Sequence, residues 1–486
     1  MAHHRHRFPI LIILVLLVNF ASCTSPNRLP EAKYVFYFIG DGMGVQQVAL
    51  AQAYLAAKNQ QPGNAKLSFT QFPVTGLAET FAQNRYITGS AAAGTALSTG
   101  YKTSINTIGL NYNHTDTLYS IAHYAKRAGF NVGIATSVSI DHATPAAFYA
   151  HQPSRNMYHQ IGHDLVKAGY RFYGSGGFKD PEGESSKNPM GSVIDKGEEF
   201  GFLFTSNLSL HDSLLNNHSS IVFSGSKSAK GSSIKYSIDT DSTDVTLADI
   251  TRLGIDVLMN PEGFFFMIEG GKIDWACHDN DAATTVHEII AFDDAIEVAL
   301  EFYRKYPNET LIVVTADHET GGMSIGNREY QYESNVALLA KQKHSLEELN
   351  TVFRAFKESH AGKPSFDKAI AFLSSDQVVG LSFQDIDKRY LDELKLAYNA
   401  SVALQTPEQI KANKEKYGSK DPMAVTSVRI LNHMAGIGWT SFSHTASHVP
   451  VYANGSGQNL FSGQMDNTDI PKSIAKAMGL RFTGSK

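Results

Sequence analysis

The chain has 486 residues, 42% of them hydrophobic and 18% charged, with 39 glycines, 16 prolines and two cysteines. That is enough for one large domain with an appended part or for two or three smaller ones, and too few cysteines for a disulfide framework. A formal net charge of −5 without a useful basic run excludes a general nucleic-acid binder.

The first 23 residues, MAHHRHRFPILIILVLLVNFASC, carry a basic, His-rich start and an apolar stretch from Phe8 to about Val18. The stretch is too short to span a bilayer comfortably, and small residues Ala21 and Ser22 follow, so residues 1–22 read as a signal peptide. FASC resembles a bacterial lipobox, which would make Cys23 the lipidated first residue of an exported chain, periplasmic or outer-membrane-associated. A plain signal peptide with a cysteine nearby is the alternative. Residues 23–32 read as a tether, and Cys277 as a buried free thiol.

From Lys33 onward the same design recurs. YVFYFIGDGMG (34–44) is an apolar run ending in Asp41 between glycines. FNVGIATSVSIDHATPAAF (130–148) is a strand followed by Asp141, His142 and Thr144. GFFFMIEGGKIDWACH (263–278) leads into Glu269, Asp274 and His278, and TLIVVTADHETGG (310–322) into Asp317, His318 and Glu319. Helical patterns lie between them. Such alternation predicts an α/β fold, a mostly parallel central sheet with helices on both faces. Ligands in these sheets bind beyond the carboxyl ends of the strands. Residues 33–486 are read as a single domain. Residues 328–425, rich in Lys and Glu at helical spacing, read as a helical insertion over the active-site edge. The Gly/Ser-rich stretch 223–237 reads as a surface loop.

Asp41, Glu269, Asp274, His278, Asp317, His318 and His444 are candidate metal ligands. Carboxylate and imidazole without thiolate suit Zn²⁺ at the His-containing positions and Mg²⁺ at the carboxylate and hydroxyl ones. Asp274 and His278 stand one helical turn apart, so both can face one ion. YITGSAAAGTALSTGYKT (86–103) places Ser90 at a helix start, where unsatisfied N–H groups favour an anion. No Ser-His-Asp elbow is evident, which leaves a metal to activate that serine. The same stretch also reads as a tightly packed small-residue helix.

GDGMG, TGSAAAGTALSTGYKT, HATPAAFYAHQPSR, EGGKIDWACH, TADHETGG and SHTASH resemble, in order, the motifs of alkaline phosphatases, from about residue 33 to the end apart from the helical insertion. The resemblance implies a homodimeric phosphomonoesterase with two zincs and one magnesium, working through a phosphoserine. It makes Ser90 the nucleophile and Arg155 a clamp on the phosphate. Asp274, His278 and His444 would hold one zinc, and Asp41, Asp317 and His318 the other. Magnesium would take Asp41, Thr144 and Glu269. Glu319 reads either as a supporting partner behind the ligands or as a simple turn residue.

Three departures stand out. Gly89 replaces the family's usual acid, which should leave Arg155 more mobile and phosphate more weakly bound. His142, near the magnesium position, is histidine in some members and aspartate in others, and could loosen magnesium. Trp275 stands where lysine or histidine reaches the phosphate through water, and could instead stack on an aromatic leaving group. His151, His287 and His448 read as packing or supporting residues rather than ligands. The alternatives are a phosphodiesterase, sulfatase or phosphoglycerate mutase of the same metal-dependent superfamily, or a non-catalytic periplasmic metal- or phosphate-binding protein. The small-molecule partner is a phosphate monoester, and the membrane is reached only through the lipid.

Overall fold

The computed structural model describes Met1 and residues 31–210, 212–225, 233–403 and 405–483. The expected signal peptide, Cys23 and residues 23–30 of the tether lie outside the described residues. The tether's end is not free: Ala32 is buried, and its N–H donates to the Ala477 carbonyl at 2.7 Å.

In chain order the strands are β1 (Tyr34–Gly40), β2 (Val74–Glu79), β3 (Asn131–Thr136), β4 (Phe172–Ser175), β5 (Phe202–Thr205), β6 (Ser220–Ser224) and β7 (Phe264–Gly270). There follow β8 (Thr310–Thr315), β9 (Glu319–Thr320), β10 (Ser324–Ile325), β11 (Ile437–Gly438), β12 (His444–Thr445), β13 (Val449–Gly455) and β14 (Gly463–Asp466). Ten of them form one sheet in the order β14-β2-β13-β8-β1-β7-β3-β4-β6-β5. Every pairing in it is parallel except the two made by β13.

Strands β1, β7 and β8 are buried along their whole length, as continuous apolar runs covered on both faces require. The period of two in β1 sorts its side chains between two helical layers. Phe36 and Phe38 meet Phe302 and Phe292 of the helix Ala282–Lys305 edge-on. Tyr37 points the other way, its ring against Phe148 and its hydroxyl donating to the Leu97 carbonyl in the helix Ser90–Thr99.

Register then sets the height of the candidate ligands. Ile39 lies opposite Glu269 on one side and Thr315 on the other, and Thr136 is opposite Glu269 in turn. Four neighbouring strands therefore finish level. Two further residues along β1 and β8 give Asp41 and Asp317 at one edge. Glu269 is the next-to-last residue of β7 itself rather than lying beyond the strand.

The helical segment has its own buried cluster, including Leu349, Phe353, Leu394 and Leu431, separate from the sheet core. Its last helix, Pro422–Met434, runs past the expected boundary at 425. Asp421 caps that helix through the Met423 N–H, and Pro422 occupies its first turn. The segment contacts the acids that follow the helix Lys272–His278. Lys420 Nζ lies 2.6 Å from Asp279 Oδ1, and Leu346 N and Gln342 Nε2 donate to Asp281 at 2.8 and 2.9 Å. The stretch 223–237 is a loop only in part. Phe223 and Ser224 finish β6, Ser237 opens a 3-10 turn, and residues 226–232 lie outside the described residues. Among the described residues no helix is long and apolar enough to cross a membrane.

Phe292 is fully buried against Phe38 and Phe69. Phe292→Ala is expected to cost about 3–5 kcal/mol, read as a fall in the midpoint of urea unfolding, with Phe292→Leu recovering most of it.

Candidate functional site

Gly42 makes the turn that lets Asp41 and Asp317 meet. Its φ is +73°, and its N–H donates to Asp317 Oδ1 at 3.2 Å. A Cβ at this position would lie 2.8 Å from the Asp274 Cα, so both conformation and space call for glycine. Asp274 and His278 share the face of a helix, as their spacing predicts, with Oδ2 and Nε2 3.3 Å apart. His444 arrives through the short pairing of β12 with β9, where it stands opposite Thr320. Its ring stacks on that of His318 with centroids 3.6 Å apart.

Hydrogen bonds assign the tautomers of three imidazoles. His278 Nδ1 donates to the Phe442 carbonyl at 2.6 Å, and His444 Nδ1 to the Thr88 carbonyl at 2.9 Å. Thr320 Oγ1 donates to Asp274 Oδ1 at 2.5 Å and so accepts from His318 Nδ1 at 3.3 Å. All three Nε2 lone pairs then face inward. Those of His278 and His444 meet at 3.1 Å. Two lone pairs cannot stand so close unless a proton or a cation lies between them. Asp274 supplies the charge that favours either: burial alone would lower His278, but its bond to Asp274 lifts it to about 9. Burial pushes Asp274 up, yet the bond to His278 and the charges of all three histidines hold it well below the usual carboxylate range.

Beside this group the acids crowd. Asp41, Glu269 and Asp317 are fully buried. Both Asp41 oxygens, Asp317 Oδ2, Glu269 Oε1 and Thr144 Oγ1 are buried without any hydrogen-bond partner. Burial first, then the neighbouring carboxylates, raises Asp41 well above its ordinary value. Burial lifts Asp317 to about 7, reinforced by Asp274. Glu269 rises to about 8, although a bond from the Thr136 hydroxyl favours its ionised form. Orphaned oxygens on repelling acids are costly without a counter-charge, and a divalent cation is one.

Three sets of ligand atoms each lie within 4.8 Å of one another: Asp274, His278 and His444; Asp41, Asp274 and His318; and Asp41, His142 and Glu269. The first is the expected set. In the second, Asp274 joins where Asp317 was expected, while Asp317 Oδ2 stands 3.3 Å from His318 Nε2. In the third, His142 joins Asp41 and Glu269, and Thr144 lies on the short helix Ala143–Ala146 that follows His142. The donors, carboxylate, imidazole and hydroxyl with no thiolate, fit zinc and magnesium.

Ser90 begins its helix as expected, and its Oγ lies 3.3 Å from His318 Nε2. Arg155 Nη1 donates to the same oxygen at 3.3 Å, and Nη2 bonds to His142 Nε2 at 3.0 Å. Since an arginine can only donate, His142 accepts there and is neutral. Burial and then the Arg155 charge lower it to about 3. Arg155 therefore has a partner on each side, although Gly89 removes the acid that the resemblance places beside it. Gly89 itself is extended, and a Cβ there would meet nothing nearer than 3.8 Å. Trp275 packs edge-on against His142, ring centroids 5.9 Å apart. Glu319 accepts from Gln47 Nε2 at 2.6 Å and from the Thr445 hydroxyl, which ties β9 to its surroundings.

Thr136, Thr320 and Gln47 also support the site, and the sequence does not mark them. A hydroxyl within a strand or turn carries no pattern, and only register reveals what it meets. His151 and His287 are packing residues, bonded to the Gly109 carbonyl and Tyr54. His448 is a surface residue instead, about half exposed near Glu79. Cys277 is a buried free thiol.

A parallel sheet whose strand ends collect carboxylates and imidazoles around one serine defines a metal-dependent α/β hydrolase. The chain belongs to the alkaline phosphatase family, whose model matches residues 32–170 and 229–480. That match includes the helical segment, which the motif comparison left aside, and omits 171–228. The chain is 34% identical to alkaline phosphatase 4 of Bacillus subtilis over 459 residues, 92% of this chain and 89% of that one. It is 28% identical to the repressible alkaline phosphatase of Saccharomyces cerevisiae, covering 97% and 86%. The cold-active alkaline phosphatase of Shewanella sp. superposes with a TM-score of 0.74 at 27% identity, covering 92% and 99%. The chain is accordingly a phosphoric monoester hydrolase of a metal-dependent family.

Gly42→Ala must push Asp274 away from Asp41 and strain the turn. The expected outcome is a stability loss of about 1–3 kcal/mol by chemical denaturation, with hydrolysis of an aryl phosphate falling at least about tenfold.

Proposed function

We propose that Ser90 carries the reaction through a phosphoserine. Its oxygen attacks phosphorus in line as the ester oxygen leaves and takes up a proton. Water then cleaves the Ser90 ester, releasing inorganic phosphate and restoring the hydroxyl. The observation that carries this is the position of Ser90 Oγ, equally close to His318 Nε2 and Arg155 Nη1 at the start of a ten-residue helix. The N–H groups of that helix start favour the anionic form of the serine and of the group it receives.

Asp274, His278 and His444 would hold one zinc, and Asp41, Asp317 and His318 a second, with Asp274 within reach of both. Asp41, Thr144 and Glu269 would hold magnesium. Bound there, such ions supply Lewis-acid charge that lowers the pKa of a hydroxyl and stabilises oxyanions. Arg155 would take two non-bridging oxygens with its planar fork, which selects monoesters over diesters. His142 orients it from behind, a task the family's acid would perform from position 89. The reading extends to export under residues 1–22, lipidation at Cys23 and homodimer formation; leader composition supports the first two and the family resemblance the third.

Ser90→Ala is expected to reduce steady-state turnover of an aryl phosphate at least about 10³-fold with metal content unchanged. Unchanged turnover would remove the covalent route. His142→Ala frees the Arg155 fork, and the inhibition constant of inorganic phosphate is expected to rise about tenfold. A constant that stays at the wild-type value would show that Arg155 is oriented by other contacts.

A further inference from the structure

His278 has a second side. Its Nδ1 faces the Phe442 carbonyl, and beyond that contact opens a pocket of about 250 Å³ between the site and the helical segment. His278, Lys414, Lys416, Lys420, Arg429 and Phe442 are among the residues that line it. Two acids also face it, Asp279 and Glu415. Asp279 is taken by Lys420 at 2.6 Å. Among the described residues Lys414, Lys416 and Arg429 make no ion pair. Arg429 lies 5.1 Å over the Phe442 ring, donates through Nη2 to the Lys416 carbonyl at 3.0 Å, and buries its Nε with no partner. Lys416 Nζ lies 5.1 Å from the Tyr417 ring centroid, and Glu415 offsets one of these three charges, so in a chain of net charge −5 an excess of positive charge remains on the flank of a metal-ligand candidate. Phe442 keeps 53% of its surface exposed at the rim. An exposed ring beside cations in excess of acids suits an organic anion better than a bare inorganic ion.

We propose that this pocket is a leaving-group subsite, which takes phosphate monoesters whose leaving group bears a second oxyanion, phosphate or carboxylate. The proposal rests on the phosphoserine reading above, with the ester oxygen departing on the side of Asp274, His278 and His444, across the phosphate from Ser90. The scissile phosphate would lie between Ser90 and Arg155, and the leaving group would pass His278 into the pocket. Its carbon skeleton would lie against Phe442 and its anion among Arg429, Lys414 and Lys416. The helical segment, absent from the catalytic constellation, thereby sets substrate choice.

The test compares kcat/KM for phenyl phosphate with that for 4-(phosphonomethyl)phenyl phosphate, whose phosphonate has no ester bond to hydrolyse. The full-length metal-loaded enzyme, K414A/K416A and R429Q are assayed at low and high salt. Lys414 and Lys416 are exposed on the helix Pro407–Tyr417, so the double variant keeps the fold if R429Q does not. The expected result is a wild-type preference for the doubly charged ester that salt weakens, and that falls about five- to tenfold in the variants. A preference within about twofold of wild type in K414A/K416A, or one insensitive to salt, would overturn the subsite. Failure of the wild type to hydrolyse phenyl phosphate at all would instead overturn the reading of the site beneath it.

Discussion

Four carboxylates, Asp41, Glu269, Asp274 and Asp317, lie buried together and repel one another. Water cannot relieve that repulsion, and the hydrogen bonds they receive leave several oxygens orphaned. Only Asp274 is surrounded by enough imidazole to stay ionised without help. The rest of the edge is built around the counter-charge such a cluster demands. Three histidines donate from one ring nitrogen to a carbonyl or hydroxyl, so the other nitrogen offers a lone pair. This is how metal-binding histidines are oriented.

The sheet makes the cluster possible by level endings. Parallel strands bring chain segments far apart in sequence to one edge, and the register of β3, β7, β1 and β8 sets their heights. The aromatic packing beneath, Phe36 and Phe38 on one face and Tyr37 on the other, fixes the strands that bear the acids. Close packing of this kind lets the protein hold charges that a looser scaffold would hydrate or expel. The helical segment stands apart, with its own core and with ties to Asp279 and Asp281 just past the His278 helix. One part of the molecule holds the reacting atoms, and another shapes the space beside them.

Much of this was legible in the sequence because buried parallel strands write their own signature. Unbroken apolar runs ending in Asp41, Asp317 or His318 cannot be surface features, and the four-residue step from Asp274 to His278 specified a shared helix face. What escaped depended on contacts that leave no pattern. Thr136 and Thr320 are ordinary threonines until register places them against Glu269 and Asp274. That Asp274 also comes within reach of Asp41 and His318 depends on how the helix Lys272–His278 sits at the strand ends. The contact of His142 with Arg155 needed a distance, because nothing in the spacing of the two residues announces it. The Asp421-Pro422 start of the segment's last helix is readable as a cap and a first-turn proline, whereas its end at Met434 carries no comparable signal.

Elemental analysis of the purified full-length chain, alongside its activity before and after chelation, addresses the central claim most directly. The account predicts about two zinc and one magnesium per chain, lost together with activity and restored with it. A metal-free chain that still hydrolyses phosphate monoesters at its original rate would contradict it.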